Sequence, residues 1–90
     1  MGNDMVGQVI EAFKKVRPER TVMKIWNYQK AYIILGVKDP DQWEYEMDPY
    51  YMYIDGKISG ISYLDNAELL IKALKANNLI YVNKLIEEEI

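Results

Sequence analysis

The chain of 90 residues has no cysteine and no histidine, only three prolines and a single phenylalanine. Without cysteine it has neither a disulfide framework nor a thiolate metal site, which fits a reducing compartment. The missing histidine and cysteine also remove the commonest general base and the strongest nucleophile. Thr21, Ser59 and Ser62 have no activating partner visible in the sequence. Paired carboxylates can carry out glycosidic acid–base chemistry, but a chain this short leaves little room for a sugar cleft. A non-enzymatic protein without a cofactor is therefore expected. Long apolar runs are absent too: the longest, Ala31–Val37, falls far short of the ~20 residues of a membrane span. The stretch MGNDMVGQVIEAFKK lacks the basic n-region and continuous apolar core of a secretion signal. Asn3, Asp4, Met5 and Val6 likewise lack the Ser or Thr of a myristoylation motif. The expectation is one soluble, cytoplasmic domain over residues 1–90, frayed at 1–4 and 84–90, with no membrane partner.

Half of the residues are hydrophobic and 28% are charged, the profile of a globular chain. The charge is unevenly spread. Residues 1–38 hold seven cations against three carboxylates, a net of +4, whereas residues 39–68 hold eight carboxylates against Lys57, a net of −7. Such separation can steer a charged partner. It can equally let the two halves attract each other within one fold.

Local signals order the elements. Asn3 can cap a helix whose apolar positions Val6, Val9, Ile10 and Phe13 form one stripe, and Pro18 ends it. Thr21–Tyr28 reads as a strand with Met23 and Ile25 on one face and Val22, Lys24, Trp26 and Tyr28 on the other. Gln29-Lys30 turns into Ala31–Val37, whose nearly continuous apolar content suggests a central strand. Pro40 and Pro49 bracket a loop. Tyr50 to Asp55 and Lys57 to Tyr63 form a hairpin across Asp55-Gly56, where Gly56 is expected at positive φ. Asp65 and Glu68 have capping-box spacing ahead of Leu69, Leu70, Ala73 and Leu74, and Asn77-Asn78 is a natural stop. Beyond it, Leu79, Ile80 and Val82 fit a fifth short strand, while 81–90 fits a short terminal helix; both stay open. The expected fold is α+β: an N-terminal helix, a four-stranded antiparallel sheet of two hairpins and a C-terminal helix, with the helices on one face.

Function points to the stretch KDPDQWEYEMDPYYMYIDGKISGI, which sets six carboxylates among Trp43 and several tyrosines. Aromatic side chains bury large area at low entropic cost and are favoured at protein interfaces. If Met23, Ile25, Ile33, Leu35, Tyr50, Met52 and Ile54 face the helices, alternation leaves Trp26, Tyr28, Tyr32, Tyr51, Tyr53 and Tyr63 opposite. That face would be an aromatic patch open to a partner, unless the loop or the C-terminal tail folds over it. With it, Asp41, Trp43, Glu44 and Glu46 complete the expected partner-binding set.

Other chemistries fit less well. Asp39-Pro40-Asp41 resembles the opening of a calcium loop, but the fifth and sixth positions are Trp43 and Glu44, and the twelfth is Tyr50. No glycine-rich phosphate loop is present. Open aromatic sheets can stack bases, with Lys14, Lys15, Arg17, Arg20 and Lys24 available for phosphates, but the hairpin is acidic and the pI is about 4.9. Nucleic acid is not the expected partner. An acidic stretch can also imitate a phosphate backbone and block a nucleic-acid-binding protein.

The segment DPYYMYIDGKISGISYLDNAELLIKAL, with the short helix before it, resembles small proteins of Gram-positive bacteria and their prophages. The resemblance spans roughly residues 5–76 and rests on shape and spacing. It implies a mobile-element accessory protein and carries no functional residues over. The expected function is a protein–protein interaction module that docks a partner with a basic surface, or a second copy of itself, through the aromatic face and acidic loop. Its alternative is a structural homo-oligomer, such as a phage assembly component, built on the same face.

Overall fold

The computed structural model describes residues 4–62, 67–76 and 78–84. In chain order these form α1 (Asp4–Val16), β1 (Thr21–Tyr28), β2 (Ala31–Val37), a 3₁₀ segment (Pro40–Tyr45), β3 (Tyr50–Ile54), β4 (Lys57–Ile61), α2 (Ala67–Ala76) and β5 (Leu79–Val82). The strands make one antiparallel sheet in the order β4-β3-β2-β1-β5. Of the two endings left open, the fifth strand is the one formed, so the sheet has five strands rather than four: the second helix is internal, and the chain returns to pair β5 with β1. Asn3, Tyr63, Asp65 and Asn77 lie outside the described residues, as do residues 1–3 and 85–90 of the proposed frayed ends 1–4 and 84–90, while Asp4 opens α1. No helix among the described residues is long and apolar enough to cross a membrane.

The β3–β4 hairpin turns at Asp55-Gly56 with φ of 53° and 77°. Two positive values are what a tight turn matched to the strand twist requires, and glycine takes the second without strain. β2 is the middle strand, and its apolar run is explained by cover on both sides. Ile33, Leu35 and Val37 join Leu70 and Ala73 of α2 in one core cluster. Ile34 joins Val9 and Phe13 of α1 in the other. Because Ile33, Ile34 and Leu35 alternate between clusters, the two helices lie on opposite faces of the sheet, not on one.

The cause of a second departure is a bulge in β1. Val22 opposes Gly36 and Lys24 opposes Leu35, so Met23 is an extra residue. An extra residue resets the alternation for all that follows. Met23, Trp26 and Tyr28 consequently pack on the α2 side, while Val22 and Ile25 pack on the α1 side. On β2 and β3 the expected alternation holds: Leu35, Tyr50 and Met52 on one side, Tyr32, Tyr51 and Tyr53 on the other. Phe13 fits over Gly36 so closely that a Cβ there would stand 2.3 Å from its ring.

Candidate functional site

The sheet aromatics do not form one open face. Trp26 is 8% exposed beneath α2, its ring 6.1 Å from that of Tyr50, and Tyr28 packs half-buried on the same side. Tyr51 is 7% exposed beneath α1, meeting the Phe13 ring edge-on at 5.0 Å. Tyr32 and Tyr53 pair beside it at 6.2 Å, both half-buried. α1, and not the loop, thus covers the face expected to be free. Tyr63 lies outside the described residues.

The remaining candidates, Asp41, Trp43, Glu44 and Glu46, come together on the β2–β3 connection. It is two short 3₁₀ turns joined by a kink at Gln42 (φ −132°, ψ 33°), and burial recurs every three residues: Pro40, Trp43 and Glu46 are partly buried and Pro49 is buried. Trp43 packs against the α2-side core. The intervening positions Asp41, Gln42, Glu44, Tyr45, Met47 and Asp48 are exposed. Asp39 caps the segment by accepting from the Asp41 backbone N–H at 3.0 Å. Asp48 takes φ 52°, a left-handed conformation that Asp tolerates, and the buried Pro49 follows.

Glu46 ties this loop to the domain. One carboxylate oxygen accepts the backbone N–H of Lys38 at 2.6 Å and of Asp39 at 3.1 Å. The other pairs with Arg20 Nη1 at 3.0 Å, and the same nitrogen donates to Gly36 O at 2.8 Å. The Arg20 guanidinium also lies 5.7 Å from the centre of the Tyr51 ring. Burial pushes the Glu46 carboxyl up, but the N–H groups of Asp39 and Lys38 and the Arg20 charge outweigh it and hold its pKa below the usual glutamate value. Part of the charge separation in the sequence is therefore spent inside the fold, joining Arg20 of the basic half to Glu46 of the acidic one.

Outside this tether stand two residues that the sequence reading did not select. Tyr45 is 80% exposed and Met47 84%, the most exposed of the large hydrophobic side chains among the described residues. They flank Glu46 and border a depression of about 370 Å³ that reaches Arg20 and Lys38. The carboxylates of Asp39, Asp41, Glu44 and Asp48 are exposed along the same loop. The period of three from Pro40 through Pro49 was the signal that could have separated Tyr45 and Met47 from Trp43. Among the described residues no three acidic side chains gather to hold a metal ion. Comparison with protein-family models, curated proteins and solved structures finds no match to this chain.

Proposed function

We propose that this chain is a protein-interaction module that binds rather than catalyses, and that the loop over residues 39–48 is its docking surface for a partner with a basic face. The observation carrying the reading is the pairing of Tyr45 and Met47, both at least four-fifths exposed, with a loop backbone held from behind by Glu46 and Arg20. An exposed aromatic and a flexible thioether on a fixed loop suit a binding anchor, because less ordering entropy is lost on docking. Four exposed carboxylates around them select the charge of the partner and speed its approach.

Titration with an arginine-rich peptide at low salt tests this reading. Binding is expected for the native chain. Tyr45→Ser with Met47→Ser should weaken it at least tenfold without changing the melting temperature. Asp41→Asn, Glu44→Gln and Asp48→Asn together should flatten its salt dependence. Equal binding by all three proteins would overturn the assignment of the loop.

A further inference from the structure

A second surface has the shape and charge that the loop lacks. Along α1 and β4 runs an open groove of about 600 Å³, lined by the apolar Ala12, Val16 and Ile58 together with Lys15 and Lys57. Val16 is 46% exposed there, and Glu11 is the carboxylate among the lining side chains. The volume falls within the ~300–1,000 Å³ of pockets that take a drug-sized ligand, enough to receive side chains such as Tyr45 and Met47.

We infer that the groove between α1 and β4 receives the Tyr45–Met47 limb of a second copy of this chain. The inference rests on the docking role of the loop and names its partner. Charge complementarity carries it: Lys15 and Lys57, the two cations among the lining side chains, would face Asp41, Glu44 and Asp48. The apolar strip of the groove would receive Tyr45 and Met47. The loop precedes β3 and the Asp55-Gly56 turn beside the groove follows it, so the two surfaces lie at opposite ends of that strand. Pairing is therefore head to tail between molecules. Unless the rotation closes a ring, such a contact propagates into open chains.

Sedimentation of the purified chain over a range of concentrations reads this directly. The expected result is an average mass that climbs with concentration at low salt and returns to that of the monomer at high salt. Lys15→Glu with Lys57→Glu should weaken association at least tenfold, as should Glu44→Lys with Asp48→Lys. Mixing the two reversed proteins should restore it, because both loop–groove contacts are then again of opposite charge. A monomer at every concentration that still binds the arginine-rich peptide would overturn self-pairing and leave the loop's docking role standing. A monomer that binds no peptide would overturn both. Self-association indifferent to Lys15 and Lys57 would overturn the groove.

Discussion

Tyr45 and Tyr51 stand six positions apart in one acidic, tyrosine-rich stretch, yet one is 80% exposed and the other 7%. Tyr51 lies on a strand whose α1-facing side is closed by Phe13, and Arg17 and Arg20 stack over its ring. Tyr45 lies on a short turn whose inward positions are taken by Pro40, Trp43 and Glu46. Identical chemistry thus serves the core in one place and the surface in the other. What decides is whether an element with an apolar stripe passes over the residue, not how aromatic its neighbourhood is.

The largest effect that would break this contrast is at Tyr51. Replacing it with alanine should cost about 3–5 kcal/mol, as for other large buried side chains, measured by denaturant unfolding. A loss below about 0.5 kcal/mol would place it with ordinary surface residues. Close behind comes Gly36→Ala, whose new Cβ would meet the Phe13 ring; overpacking of this kind costs about 1–3 kcal/mol.

Glu46→Ala should cost about 1–3 kcal/mol by removing the acceptor of two backbone N–H groups and the ion pair with Arg20, which keeps its bond to Gly36 O. Its pH dependence has a fixed sign. The folded-state pKa is lowered, so the stabilisation is complete above the unfolded value of about 4.5 and is lost as pH falls through the folded one. Between pH 6 and pH 3 the native chain should therefore lose more stability than Glu46→Gln does. Parallel pH curves would contradict the tether. At Gly56, whose φ is 77°, Gly56→Val should cost about 1–3 kcal/mol of backbone strain, and a change within error would mean the turn is misplaced. The smallest effect belongs to Tyr45→Ser, expected within about 0.5 kcal/mol.

Much of this was legible in the residues. The stripe Val6, Val9, Ile10, Phe13 gave α1, and Asp55-Gly56 gave the turn, because both signals are local. The bulge at Met23 was not legible: nothing in Thr21–Tyr28 marks an extra residue, and one insertion moved Trp26 and Tyr28 beneath α2. The covering of both faces was half legible. The unbroken run from Ile33 to Val37 leaves neither side of β2 polar, which a sheet open on one face does not tolerate, but which helix covers which side depends on chain path. The site followed the same rule. Asp41, Trp43 and Glu44 do share the connection between β2 and β3 that the prolines bracket. Tyr45 and Met47 were not legible as the outward residues, because a stretch read only as a loop between Pro40 and Pro49 carries no expectation of which side chains turn inward.

The contrast at the centre of this account is read most directly by nitrating the folded protein and following each tyrosine by peptide mass analysis. Tyr45 should react first, and Tyr51 should stay protected until the chain unfolds. Modification of Tyr51 in the folded protein at the rate of Tyr45 would contradict the covered sheet, and would reopen the face that α1 is held to close.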